Sequence, residues 1–141
     1  MGIKQIVPIL AVLPMLAGAA FAGDAEKGES DFKLCKSCHA VTATDGTVIQ
    51  KGGKTGPNLY GVIGRVAGSD PDFRYGDSLA AVSETGLVWD EENVAAYITD
   101  PKAWLGETLG ESKVKTKMTY KHRKNAEDMA AYLVTVSPSD S

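Results

Sequence analysis

The sequence predicts an all-α domain of short helices joined by long loops. Three observations lead there. Capping residues stand ahead of each stretch with helical apolar spacing, glycine and proline punctuate residues 40–76, and no alternating run is long enough for a sheet. Asp24 can cap a first helix that runs toward His39, with Gly28 and Phe32 one turn apart on a common face. Residues 40–76 read as loop, broken by Gly46, Gly52-Gly53, Gly56-Pro57 and Pro71. Asp77 starts a short helix that stops at Gly86. Asp90 caps Glu91 to Thr99, which puts Val94, Tyr97 and Ile98 on one side. Asp100-Pro101 ends that helix and opens one further turn, because proline suits a first helical position.

Asn125 is placed to cap a final helix, with Asp128 three residues on as in a capping box. Its apolar positions Met129, Tyr132, Leu133 and Val136 fall at helical spacing. Gly28 allows a close approach, so the last helix is expected to cross the first there, with Phe32 and Leu133 packing at the crossing. Loops this long in a small domain need something to order them.

That something is indicated by Cys35-Lys36-Ser37-Cys38-His39, the C-x-x-C-H signature of covalent haem attachment. On a helix these two cysteines and the histidine project from one face. The thiols can then add to the haem vinyl groups as thioethers, with His39 beneath the iron. They are the only two cysteines in the chain. A thioredoxin-type pair needs a βαβ setting that is not evident, and a zinc site needs a second cluster that the other histidine, His122, does not supply. A Cys35–Cys38 disulfide would close too small a loop to stabilise much. With only three phenylalanines in the chain, a buried haem would also supply missing core.

The amino end reads as a secretory signal over residues 1–22. Lys4 is its positive charge, Ile6 to Ala20 its apolar stretch and Ala20-Phe21-Ala22 its cleavage site. The apolar run is about 15 residues with two prolines, against the ~20 a membrane anchor needs. A domain of residues 23–141 in the periplasm is expected, since haem is joined to such motifs outside the cytoplasm. The formal charge is −3, which argues against a nucleic-acid partner. The charge is also polarised. Residues 69–100 hold eight acids and one base, whereas residues 113–124 hold six bases and no acid.

A second iron ligand would separate an electron carrier from an enzyme or gas binder. Met129 lies on the apolar stripe of the last helix and reads as core filler, and His122 sits among charged neighbours, where a solvated side chain is the default. Met118 differs. It is an apolar thioether in the non-helical segment 115–120, flanked by solvent-seeking residues, and the open face of a haem is the obvious place to bury it. A soft thioether favours Fe(II) and raises the potential relative to a second imidazole.

Several motifs stand in the order found in class I cytochromes c. They are Gly28…Phe32, the C-x-x-C-H pentapeptide, Thr55-Gly56-Pro57-Asn58-Leu59 with Gly61 and Gly64-Arg65, Trp89, Tyr97, Thr116-Lys117-Met118 and Ala131-Tyr132-Leu133. The chain resembles that family over residues 23–141, most closely the large bacterial cytochromes c2, including the c-550 type. The resemblance implies one covalent haem c, with His39 and Met118 as axial ligands. It implies that Pro57 offers its carbonyl to His39, that Arg65, Tyr75 and Trp89 reach a propionate, and that Tyr97 lines the methionine side. One departure stands out. Many relatives have Pro-Gly where this chain has Val114-Lys115, which leaves the ligand loop less constrained.

The function expected is that of a soluble, monomeric one-electron carrier, not an enzyme. Lys113, Lys115, Lys117, Lys121 and Lys124, with Lys33, Lys36, Lys51 and Lys54, are expected to ring the haem edge and dock acidic partners. The resemblance implies a bc1-type donor and an oxidase, photosynthetic reaction centre or reductase as acceptor. A peroxidase or gas binder would need a distal His/Arg pair beside an apolar pocket, and none is evident. A module with haem as a structural staple is the remaining alternative, disfavoured by the charge polarity.

Overall fold

The computed structural model describes residues 23–138 and, ahead of them, Gly2 alone; the expected secretory signal otherwise lies outside the described residues. The elements are α1 (Ala25–Asp31), a 3-10 turn (Phe32–Leu34), β1 (Val41–Thr42), β2 (Val48–Gln50), α2 (Asp77–Glu84), α3 (Glu91–Thr99), α4 (Pro101–Leu109) and α5 (Ala126–Thr135). The expected all-α architecture is present, with one small hairpin added to it.

The caps explain most boundaries. The Asp24 carboxylate accepts from Glu26 and Lys27 N–H at 3.1 and 3.2 Å and starts α1. Asp90 and Asn93 form a reciprocal capping box on α3. Asp100 ends α3 in extended backbone, and its carboxylate accepts from Ala103 N–H at 3.1 Å to start α4. With Pro101 in the first turn, α4 runs nine residues, not the single turn expected, and stops at Gly110, which takes the left-handed conformation.

Two local expectations fail for physical reasons. Asn125 has φ 54°, so its side chain makes no capping bond to α5; an N-cap residue normally needs extended backbone to reach the N–H groups ahead of it. The Asp128 carboxylate is buried and accepts from Asp24 N–H at 2.7 Å, locking the start of α1 onto α5. The hairpin was expected to be loop. It pairs Val41 with Gln50 and Thr42 with Val48 around a turn containing Gly46, and Gln50 Nε2 donates to Tyr132 Oη at 3.0 Å.

The α1–α5 crossing is where the sequence places it. A Cβ on Gly28 would collide with the Asp128 carbonyl oxygen and stand 2.7 Å from Tyr132 Cβ. Phe32, fully buried, meets the Tyr132 ring edge-on at 5.7 Å, so Tyr132 is its aromatic partner, and Leu133 is buried in the same core. Trp89, Tyr97 and Trp104 form a second cluster with centroids 5.1–5.3 Å apart. A cavity opens beside this core, lined by parts of the segment 55–76 together with Trp89, Tyr97 and Leu133.

Candidate functional site

One wall of the cavity is the pentapeptide. The first helix does not run unbroken to His39. It tightens at Phe32–Leu34 and re-forms a turn, with Cys35 N–H bonded to Phe32 O at 2.8 Å and His39 N–H to Cys35 O at 2.9 Å. That last bond spans four residues as in an α-helix, so Cys35, Cys38 and His39 still share one face and all three line the cavity. The glycine-rich loop lies directly against this turn. Gly53 N–H donates to Lys36 O and Gly56 N–H to Cys38 O, both at 2.8 Å.

His39 Nδ1 donates to the Pro57 carbonyl oxygen at 2.8 Å, as the resemblance implied. In the neutral ring this bond leaves Nε2 without a proton and able to ligate a metal. Burial holds the His39 pKa down, opposed by the Pro57 bond, so the neutral form is favoured. The thiols differ. Burial pushes Cys35 up to about 11, while hydroxyls of Thr55 and Ser37 lower the exposed Cys38.

Met118, Thr116, Tyr120 and Tyr97 line the same cavity. Met118 is half-buried, and its carbonyl accepts from Thr116 Oγ1 at 2.9 Å. Tyr97 packs against Trp89 and Trp104, and burial pushes its hydroxyl up to about 12, with Thr116 opposing. A raised folded pKa stabilises the fold below the ordinary value of 10.0, and this stabilisation fades as pH rises toward about 12. Tyr97→Phe should therefore flatten the loss of stability between those pH values and remove the latest step of the tyrosinate absorbance titration.

The third group answers a question of charge. No aspartate or glutamate is among the lining residues, yet Arg65, Lys115 and Lys117 are. The Arg65 Nη2 donates to the Asn58 carbonyl at 3.2 Å, and its buried Nε has no partner. Tyr75 and Trp89 line the same region, and Tyr75 Oη accepts from Asp70 N–H at 3.2 Å. A buried guanidinium nitrogen without an acceptor fits an incoming carboxylate, which is what haem propionates provide. Among the described residues no three His, Cys, Asp or Glu gather to hold a bare metal ion. Paired thiols, a histidine with a free nitrogen, a methionine in the same lining and an orphaned guanidinium together fit a haem.

No protein-family model matches the chain. Cytochrome c2 of Rhodobacter capsulatus is 55% identical over 122 residues, which are 86% of this chain and 89% of that protein. Cytochrome c-551 of Roseobacter denitrificans is 55% identical over 138 residues, 98% of this chain and 99% of that one. The solved structure of ferric cytochrome c-550 from Paracoccus versutus superposes with a TM-score of 0.81 at 54% identity, covering 83% of this chain and 100% of that one. The chain belongs to the class I cytochromes c, in the cytochrome c2 and c-550 group.

As a class I cytochrome c it carries one covalently bound haem c, and it is an electron carrier, not an enzyme. All nine lysines singled out for docking are exposed. Two of them are also engaged within the chain. Lys117 Nζ donates to the Arg74 carbonyl and lies 5.7 Å from the Phe73 ring centroid, and Lys121 pairs with Asp100 at 2.6 Å. Two site features were not read from the sequence. Asn58 clamps the loop to β1, its side chain accepting from Thr42 N–H at 3.0 Å and donating to Thr42 O at 2.7 Å. His122, expected to be solvated, is 3% exposed and lines the cavity, because its N–H is drawn in to Ile98 O at 2.7 Å.

Proposed function

We propose that this cytochrome is a periplasmic one-electron carrier working between membrane redox complexes, with His39 and Met118 as the two axial ligands. The observation that carries the reading is a single cavity lined both by His39, whose Nε2 is freed by the Pro57 bond, and by Met118. Bound there by thioethers to Cys35 and Cys38, the haem supplies one-electron chemistry at its iron. His39 is held in one tautomer by Pro57. Met118 closes the other side with a soft, uncharged donor that favours the reduced state. Arg65, Tyr75 and Trp89 hold the propionates. The apolar walls formed by Leu59, Val62, Val94 and Leu133 exclude water. Because no side chain must leave or change protonation, reorganisation is small.

Lys115, which lines the cavity, and the exposed Lys33, Lys36, Lys113 and Lys124, close in sequence to Cys35 and Met118, attract acidic partner faces. A bc1-type complex as donor and an oxidase, reaction centre or reductase as acceptor suit this polarity. Residues 1–22 serve as the export signal, removed after Ala22. Among the described residues no helix is long and apolar enough to cross a membrane. Stopped-flow transfer to membrane vesicles bearing such a complex tests the docking: the rate should fall steeply as ionic strength rises. A rate independent of salt would rule out the basic face as the docking surface.

A further inference from the structure

Cleavage after Ala22 would make Gly23 the first residue, and the fold already holds that residue in place. Gly23 lies half-buried against α5, where a Cβ would collide with the Glu127 carbonyl oxygen and stand 2.8 Å from Ala131 Cβ. Only glycine fits so close. The Ala20-Phe21-Ala22 pattern constrains the residues before the cut and not the one after it, so it is the fold that demands this glycine. The next residue, Asp24, donates its N–H to Asp128 Oδ1 at 2.7 Å. One residue of chain spans at most about 3.6 Å, so the Gly23 nitrogen lies within about 6.3 Å of the same carboxylate oxygen. A freed terminus turns about its own backbone bonds, which brings it closer.

Asp128 is 7% exposed, and a buried carboxylate is costly unless a cation pairs with it. Among the described residues there are two ion pairs, Lys27 with Asp24 and Lys121 with Asp100, and neither involves Asp128. The charged side chains at this end of the two helices are Asp24, Glu26 and Lys27 at the start of α1, and Lys124, Glu127 and Asp128 at the start of α5. Of the two bases, Lys27 is held by the Asp24 carboxylate at 3.4 Å, and Lys124 makes no ion pair among the described residues. Export supplies a further cation. Hydrolysis of the Ala22–Gly23 amide by a signal peptidase adds water across the C–N bond, leaving a carboxylate on Ala22 and an ammonium on Gly23.

We propose that the α-ammonium freed at Gly23 pairs with the buried Asp128 carboxylate, so that removal of the signal itself fastens α1 to α5. This rests on cleavage after Ala22, which the mass of the exported holoprotein tests separately. An opposite charge this close favours the charged amine, so the pKa of the terminus rises above its ordinary value of about 7.7–8.0. The added stability is then full below that range and is lost as pH rises through the folded value. Glycine labelled with 13C at Cα reports the titration, because the terminal Cα resonance follows the charge on its own amine. In the mature holoprotein it should titrate about one unit above the ordinary range. Asp128→Asn, which keeps an oxygen for the Asp24 N–H, should return it there. A holoprotein that keeps Ala22 as its first residue carries the ammonium one residue further out. Its guanidinium midpoint should lie below that of the mature protein at about pH 6 and coincide with it above about pH 10. A Gly23 resonance that titrates in the ordinary range, or one that Asp128→Asn does not move, would overturn the proposal, as would equal midpoints at both pH values. An exported chain that begins at another residue would overturn the cleavage reading, and this proposal with it.

Discussion

Replacing Gly28 with alanine should destabilise the oxidised holoprotein by about 2 kcal/mol or more, although the position lies within a helix. Helix propensity alone predicts a gain of about 1 kcal/mol for this change. Sterics predict the opposite and win. The new Cβ meets the Asp128 carbonyl, a backbone atom of α5 that cannot rotate aside, and overpacking of this kind costs about 1–3 kcal/mol and occasionally more. Relief requires α1 and α5 to separate, which would also pull Asp24 N–H from the Asp128 carboxylate and Phe32 from Tyr132. Guanidinium unfolding followed by circular dichroism measures the loss. A midpoint unchanged or raised would mean that the helices do not cross as described.

Gly56→Ala should have its effect at the iron and not on the fold. Here the added Cβ meets the His39 ring itself, colliding with Cε1 and standing 2.7 Å from Nδ1. The ring must tilt, and the 2.8 Å bond to Pro57 O is lost. Disturbing the group that orients a metal-bound histidine typically costs about 10–100-fold in affinity. Because the thioethers keep the haem attached, the loss should appear at the iron, as a shifted potential and as His39 being displaced by added imidazole about tenfold or more easily. Gly46→Ala is the control. That glycine has φ 88° on the hairpin turn with nothing within 4 Å, so alanine there should cost stability through backbone strain alone and leave both properties of the iron unchanged.

Much of the site is legible because its chemistry is local in sequence. The pentapeptide sets its own geometry through bonds from Phe32 to His39. Asp24, Asp90 and Asp100 act as caps wherever the next helix needs one. Met118 betrays itself as an apolar residue with polar neighbours. The parts not legible depend on contacts far apart in the chain. The hairpin strands, of two and three residues, are too short to leave a periodic signature, and their stability comes partly from Gln50 reaching Tyr132 across the fold. Asp128 looks like half of a capping box, but its partner is Asp24, 104 residues away. His122 looks solvated among Lys121, Arg123 and Lys124, and only the carbonyl of Ile98 turns it inward.

The proposal that His39 and Met118 close both sides of the iron is tested most directly by adding carbon monoxide to the dithionite-reduced, unaltered protein at neutral pH. The account predicts a low-spin ferrous spectrum that carbon monoxide leaves unchanged. Rapid formation of a carbon monoxide adduct would contradict it, because the iron would then have an open face and Met118 would not be its ligand.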